Sequence, residues 1–246
     1  MEKKEMIFGT RAVMEAIHAG KEIEKIFVQA GLNNDLIKEL IALAKSKRVQ
    51  LSFTPQQKLD RLSSKNHQGV ICLLSVVQYA NLDNLISKAY EEGRDPFFLI
   101  LDRITDVRNF GAIVRSAECA GLDGIIIPNK GNAPLTADAM KTSAGALNHL
   151  PICREFDLSR TIRRLKENGI QVIACTEKAE KTLYETNLSG PVAVILGSEE
   201  DGISNQLIKD ADYLARIPMR GNIASLNVSV SAGIALFEVI RQKNYK

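Results

Sequence analysis

Hydrophobic and polar residues in the first third of the chain follow helical and strand periodicities in turn. In residues 35–47, Leu36, Leu40, Leu43 and Ala44 share one helical face, because residues three and four apart are neighbours on a helix. Short runs rich in β-branched and aromatic residues predict strands. The pattern predicts helices over residues 12–18, 35–47 and 55–62 and strands over residues 24–29, 49–53 and 69–76. Residues 1–76 are therefore expected to form a small α/β unit.

A polar segment interrupts this alternation. Residues 78–96 carry both acidic and basic side chains in a helical pattern, and Gly93 and Pro96 lie at the end of this segment. Glycine and proline stop helices, so this segment is interpreted as a connector between two domains, with a linker over residues 77–96.

A second alternating series fills residues 97–246. Its apolar runs are short, continuous and rich in β-branched residues, which is typical of central strands in a parallel sheet covered on both faces. These runs predict strands over residues 97–101, 124–127, 172–175 and 192–196 and helices over residues 111–120, 159–168 and 229–241. The whole chain is therefore expected to be an α/β protein of two domains.

Composition narrows the function classes only slightly. Hydrophobic residues make up 45% of the 246 positions and charged residues 25%, as in ordinary globular proteins. We expect a cytoplasmic protein, because there is no apolar run of about 20 residues and no secretory signal. The four cysteines are isolated in apolar stretches, which favours buried, reduced thiols and no metal site. The net charge of +3 is compatible with nucleic acid but does not argue for it.

The first unusual segment is residues 106–115, Asp-Val-Arg-Asn-Phe-Gly-Ala-Ile-Val-Arg. It follows a predicted strand and opens a predicted helix near Gly111, which is where α/β sheets usually bind ligands. Asn109 would lie at the helix start, and Arg115 one turn later could share its face. The alternative is that Asn109 caps the helix and Arg115 is a solvated charge.

The second segment is residues 196–203, Leu-Gly-Ser-Glu-Glu-Asp-Gly-Ile. Gly197 and Gly202 permit tight turns and close ligand approach, and a carboxylate between them could hold a cationic or hydroxyl-bearing ligand. The alternative is an acidic start to a helix near Ser204, which the helix dipole would favour.

The third segment, residues 217–231, contains a short strand that ends at Pro218, a glycine-bearing loop, and a helix entered through Ser225-Leu226-Asn227. Serine, asparagine and backbone amides cluster there without net charge. The alternative is a capped helix whose serines bond to the backbone. Dinucleotide, phosphate-loop, zinc-protease and nucleophile-elbow motifs are all absent from the sequence.

Together and in this order, the three segments resemble the three motifs of the SpoU (TrmH-like) branch of the SPOUT RNA methyltransferases. Residues 97–246 are similar to the catalytic domain. Ile7-Phe-Gly-Thr-Arg11 and His67-Gln-Gly-Val70 resemble the L30-like substrate-binding domain of the bacterial enzymes that methylate a guanosine ribose in 23S ribosomal RNA. Val107 departs from the proline that many members carry after the first aspartate, which is expected to alter the loop slightly.

The resemblance implies a deep trefoil knot in the C-terminal domain, an exception to unknotted topology. It also implies a homodimer, a ribosomal RNA partner, neither membrane nor metal, and S-adenosylmethionine as cofactor. The implied catalytic residues are Asn109, Arg115, Glu199, Ser225 and Asn227. The implied cofactor-binding residues are Thr176, Leu196, Gly197, Gly202, Ile217, Met219 and Leu226. Replacing Gly197 with valine is expected to abolish cofactor binding while the protein stays folded.

Two other functions remain open at this stage. The same chemistry could act on transfer RNA, and the L30-like domain alone could make a non-catalytic RNA-binding protein. Basic residues near the motifs and in the first domain are candidate phosphate contacts: Arg11, Lys58, Arg61, Lys65, Arg103, Arg108 and Lys141. Each could equally be an ordinary solvated charge.

Overall fold

The computed structural model describes residues 6–223 and 225–244, and the chain divides into two compact units. The first unit comprises residues 6–78 together with the short segment 134–137, and the second comprises the remaining described residues. No helix within the described ranges is long and apolar enough to cross a membrane.

The first unit is a four-stranded sheet with helices on both faces. Its elements are β1 (Met6–Phe8), α1 (Thr10–His18), β2 (Ile23–Gln29), α2 (Asp35–Ser46), β3 (Leu51–Thr54), α3 (Gln56–Leu62) and β4 (Val70–Leu74). The strand order is β1-β4-β2-β3, with β4 antiparallel to both neighbours and β3 parallel to β2. Alternate residues of β2 face opposite sides, so Ile26 packs with α1 and α2, whereas Phe27 packs with Leu59 of α3.

The second unit is built on six parallel strands. Its elements are α4 (Leu82–Glu91), β5 (Phe97–Asp102), α5 (Val107–Cys119), β6 (Gly124–Pro128), α6 (Ala137–Thr142), β7 (Ile152–Glu155), α7 (Leu158–Glu167), β8 (Gln171–Cys175), β9 (Val192–Gly197), α8 (Asn205–Asp210), β10 (Tyr213–Ala215) and α9 (Val228–Asn244). The order is β10-β8-β9-β5-β6-β7, and every adjacent pair is parallel. The expected α/β class with a parallel C-terminal sheet is confirmed.

The strand order reverses between β5 and β9. From β5 the chain adds β6 and β7 on one side, then crosses to build β8 and β9 on the other. Loops after two such strands leave the sheet in opposite directions and open a crevice at its carboxyl edge. All six residues of β5 are buried, so the strand at the floor of this crevice is packed on both faces.

The polar segment interpreted as a connector is part of the second unit. Leu82, Ile86 and Ala89 of α4 are buried, and the first two join the core under β5 and β8. Their spacing of four and three residues gives α4 an apolar stripe that the many charges around it obscure.

Three short elements are absent from the predicted pattern. β1, α6 and β7 have three, six and four residues, too few for a periodicity to show. The strand expected to end at Pro218 is β10, which ends at Ala215. The chain after it is irregular, which leaves its backbone open for other contacts.

The cysteines only partly follow expectation. All four are free thiols, and burial raises the pKa of Cys72 and of Cys153 to about 12 and that of Cys175 to about 11. Cys119, on the outer side of α5, is exposed, so the expectation of burial is wrong for this residue. Although its sequence neighbours are apolar, Cys119 lies on the solvent-facing side of an amphipathic helix.

Candidate active site

A cleft of about 240 Å³ opens at the carboxyl ends of β5 and β9. Residues 103–106, which follow β5, form one wall, and residues 198–201, which follow β9, form the other. Asn109 and Gly131 complete the lining. The cleft therefore occupies the position where the strand order reverses, which is where open α/β sheets bind ligands.

The first wall continues into α5. The Asp106 carboxylate accepts hydrogen bonds from the backbone N–H groups of Arg108 and Asn109, at 2.8 and 2.9 Å, and so caps the helix. The helix consequently begins at Val107 rather than near Gly111 as predicted. Asn109 lies in its first turn and is not the cap, which leaves the Asn109 amide free for other partners.

The acidic segment after β9 forms a tight turn. Ser198 and Gly202 exchange two backbone hydrogen bonds of 3.1 and 3.0 Å, and the Ser198 hydroxyl accepts from the Asp201 N–H at 3.1 Å. Gly202 has φ +67°, a left-handed conformation that glycine adopts without strain. The turn holds Glu199 at the mouth of the cleft.

Arg103 holds this turn against the end of β5. Its guanidinium donates to Asp102 at 3.2 Å, to Asp201 at 3.1 Å and to the Gly202 carbonyl at 3.2 Å. The buried Asp102 carboxylate also accepts from the Ser204 N–H at 2.7 Å. Arg103 is a candidate phosphate contact from the sequence, but three of its five N–H donors are engaged within the chain.

The third segment reaches the cleft through Asn227, at the start of α9. The Asn227 carbonyl accepts from the Ser231 N–H, and its side-chain oxygen accepts from the Ser229 N–H, as in a helix N-cap. The Asn227 amide nitrogen donates to Asn109 Oδ1 at 3.1 Å and to Glu199 Oε1 at 3.5 Å.

Asn109 Nδ2 in turn donates to the same Glu199 oxygen. Asn227, Asn109 and Glu199 thus form one hydrogen-bonded group, here called the amide–carboxylate chain. It joins three segments that are up to 118 positions apart in sequence. Three of the five expected catalytic residues are brought together in this way.

The other two expected catalytic residues lie elsewhere. Arg115 is exposed and, among the described residues, makes no hydrogen bond or ion pair. Six positions separate it from Asn109, which places the two side chains about 120° apart around the helix, so the expected shared face is wrong. Ser225 is exposed beside the cap of α9 and likewise contacts no described polar group.

The expected cofactor residues lie at the carboxyl ends of neighbouring strands. Thr176 follows β8, Leu196 and Gly197 end β9, and Ile217 follows β10. Thr176 and Leu196 are buried, whereas Met219 on the following loop is 38% exposed. The described part of the chain has no group of three or more His, Cys, Asp or Glu side chains that could hold a metal ion.

Ser229, Asp102 and Ser198 were not anticipated as parts of the site. Ser229 follows Asn227 at the spacing of a helix-cap contact, a signal that the sequence carries. The contact of Arg103 with the acidic turn spans 98 positions, and no local pattern could reveal it.

Gly197 is required by the fold itself. A Cβ atom at this position would lie 2.1 Å from backbone atoms of Gly202 and Ile203. The chain's own turn therefore fills the space that was expected to receive a ligand. Replacement of Gly197 cannot separate cofactor binding from folding, contrary to the expectation for valine.

Gly197→Ala is predicted to lower the free energy of unfolding by about 1–3 kcal/mol even without ligand, because the turn must open to admit the methyl group. Gly190→Ala is the matched control, since a Cβ there meets nothing within 4 Å. Urea denaturation of both variants measures the effect. Equal stabilities would contradict the packing described for this turn.

Comparison with known proteins agrees with this architecture. Residues 96–237 match the model of the SpoU rRNA methylase family, and residues 6–80 match that of the RNA 2′-O ribose methyltransferase substrate-binding domain. A protein of Bacillus subtilis, named for the TrmH family of tRNA/rRNA methyltransferases, is 34% identical over 99% of this chain and 98% of its own length.

Two solved structures are similar as well. The S-adenosylmethionine-bound rRNA methyltransferase from Sinorhizobium meliloti is 25% identical, with a TM-score of 0.60, over 98% of this chain and 88% of that chain. The TrmH/SpoU tRNA-modifying enzyme of A. aeolicus is 25% identical, with a TM-score of 0.55, over 66% of this chain and 84% of that chain. The family models and the curated relative show that the chain belongs to the SpoU family of RNA methyltransferases.

Proposed function

We propose that this protein uses S-adenosylmethionine to methylate the 2′-hydroxyl of a guanosine ribose in 23S ribosomal RNA. The observation that carries the proposal is the amide–carboxylate chain at the mouth of the cleft where the strand order reverses. It presents a carboxylate and two amides, which are groups that orient a hydroxyl-bearing substrate. Family membership supplies the class of reaction.

The loop after β10 fits the cofactor. Ile217, Met219 and Leu226 have no backbone hydrogen bond to another described residue, so their N–H and C=O groups can serve an adenine ring. Ile223 on the same loop is 75% exposed and offers apolar surface. When bound, S-adenosylmethionine supplies an electrophilic methyl group, and we expect Thr176, Leu196, Gly197 and Gly202 to border it.

Glu199 is the residue best placed to receive the hydroxyl proton. Its Oε1 atom accepts both amide donors, whereas its Oε2 atom has no hydrogen-bond partner within residues 6–223 and 225–244. That oxygen can accept a hydrogen bond from a ribose hydroxyl in the cleft and draw the proton away as the oxygen is methylated. Asn109 and Asn227 hold the carboxylate in place, and Ser225 is proposed to contact the methionine tail.

Arg115 is proposed to bind a phosphate next to the target ribose. A guanidinium is effectively always protonated, so it cannot act as the base, but its planar fork can hold a phosphate of the bound RNA through two hydrogen bonds. Its exposure, with no partner among the described residues, leaves all its donors available.

We also propose a trefoil knot in the second unit and a homodimer in solution. Val230 and Phe237 on α9 are 49% and 50% exposed. They are seven positions apart, about two helical turns, so their side chains lie on the same face of the helix. Light scattering is expected to give a mass of two chains rather than 27.1 kDa. Apolar exposure of this kind on neighbouring turns supports an association surface.

The similar solved structures favour ribosomal RNA over transfer RNA as the substrate, because they cover different shares of this chain. The rRNA methyltransferase covers 98% of this chain, whereas the tRNA-modifying enzyme covers 66%. The first unit matches a substrate-binding model and exposes four basic side chains suited to RNA phosphates: Arg11, Lys58, Arg61 and Lys65. Arg108 and Lys141 are also exposed in the second unit.

The purified protein is predicted to transfer a labelled methyl group to 23S ribosomal RNA and not to transfer RNA. Nuclease digestion followed by mass spectrometry should identify 2′-O-methylguanosine. A product in transfer RNA would support the alternative substrate. S-adenosylmethionine binding with no transfer to either RNA, or no binding at all, would contradict the proposed reaction and favour a non-catalytic RNA-binding protein.

Arg115→Ala is predicted to retain cofactor binding but to lose most methyl transfer, by about 100-fold, because the target ribose is no longer held in place through its phosphate. Arg115→Lys should rescue poorly, because a point charge cannot replace a bidentate fork. The methyl-transfer rate and the affinity for S-adenosylmethionine, from calorimetric titration, are measured for the wild type and both variants. A wild-type rate for Arg115→Ala would show that the residue is only a surface charge.

A further inference from the structure

Ser229 donates twice to the same oxygen atom. Asn227 Oδ1 accepts from the Ser229 backbone N–H at 2.9 Å and from its hydroxyl at 2.6 Å. A helix cap needs only the backbone contact. The hydroxyl contact is therefore additional, and the mechanism above gives it no role.

The backbone contact decides which way round the Asn227 amide lies, and the hydroxyl contact adds a second hydrogen bond that holds the amide there. An amide side chain has an acceptor end and a donor end of nearly the same shape. The Ser229 backbone N–H can only donate, so the end that it contacts is the oxygen, and the hydroxyl donates to the same atom. The nitrogen is then directed towards Asn109 and Glu199, where it makes its bonds of 3.1 and 3.5 Å.

The orientation of one amide sets that of the next. Asn109 receives the Asn227 donor on its oxygen, so its own nitrogen faces Glu199. Glu199 Oε1 consequently receives two N–H donors, and Oε2 is the atom left without a partner among the described residues. The direction of these hydrogen bonds is set by the Ser229 backbone N–H at one end and by Glu199, which only accepts when ionised, at the other. The Ser229 hydroxyl adds a further hydrogen bond that holds the first amide in place.

We propose that Ser229 is a positioning residue, which acts through Asn227 and Asn109 to fix the Glu199 carboxylate towards the ribose hydroxyl. This inference rests on the proposed methyl transfer. It assigns to the start of α9 a role in catalysis beyond closing the helix. Ser231 lies two residues further along α9, and its side chain has no hydrogen bond to a described residue. Only its backbone N–H, which alanine retains, contacts Asn227.

Ser229→Ala is predicted to lower kcat for RNA methylation about 5- to 10-fold, with the KM values for S-adenosylmethionine and RNA changed less than twofold. Such a loss is what one hydrogen bond that holds a reacting group in place can supply. Ser231→Ala makes the same chemical change on the same helix and should keep the wild-type kcat. Ser229→Thr retains a hydroxyl and should restore most of the rate.

A double-mutant cycle with Glu199→Gln separates positioning from a merely structural effect. If Ser229 acts through Glu199, Ser229→Ala should cost less than twofold in kcat once Glu199 is glutamine. A loss of the same size in both backgrounds would overturn the proposal, as would equal kcat values for Ser229→Ala and Ser231→Ala. Absence of methyl transfer by the wild-type protein would instead overturn the proposed function, and the positioning role with it.

Discussion

The hydrogen bonds from two asparagine amides to one oxygen of Glu199 are the interaction on which the candidate site depends. A carboxylate at the mouth of a cleft can rotate freely unless donors hold it. A hydrogen bond to a charged group contributes about 1.5–3 kcal/mol at ordinary distances, so the contact from Asn109 restricts the rotation of the carboxylate. The contact from Asn227, at 3.5 Å, adds less. The remaining oxygen has no partner among the described residues, and in the proposed reaction it can accept from a substrate hydroxyl without reorganisation.

This contact exists because of strand order. Asn109 follows β5 and Glu199 follows β9, and these strands are neighbours although 90 positions separate the two residues. Six parallel register pairs, from Phe97 with Val192 to Asp102 with Gly197, align the ends of the two strands. Arg103 then links the acidic turn to the end of β5, which connects the wall that carries Glu199 to the wall that follows β5.

Glycine at 197 shows how closely the fold and the site are coupled. The turn after β9 folds back until its backbone occupies the place of a side chain at Gly197. That return brings Gly202 against Ser198 and projects Glu199 outwards. In the sequence, Gly197 suggests a position where a ligand approaches the backbone closely. In the structure, it is required for the turn that presents the Glu199 carboxylate.

Much of this architecture could be predicted from the sequence. Continuous apolar runs indicated the central strands, and the three motif segments indicated Asn109, Glu199 and Asn227. Short elements such as β1 and β7 could not be predicted, because three or four residues carry no period. The partners of Arg103 depend on tertiary contacts rather than on motif spacing. The direction of Arg115 away from Asn109, by contrast, follows from their six-residue spacing on a helix.

The methyl-transfer rate of Glu199→Gln tests the central claim most directly, because glutamine keeps the shape of the side chain but removes the charge that receives a proton. The account predicts wild-type affinity for S-adenosylmethionine and a loss of at least about 100-fold in kcat, the lower range for a positioned general base. A kcat within twofold of wild type would show that the amide–carboxylate chain does not act on the ribose hydroxyl, and would contradict the account.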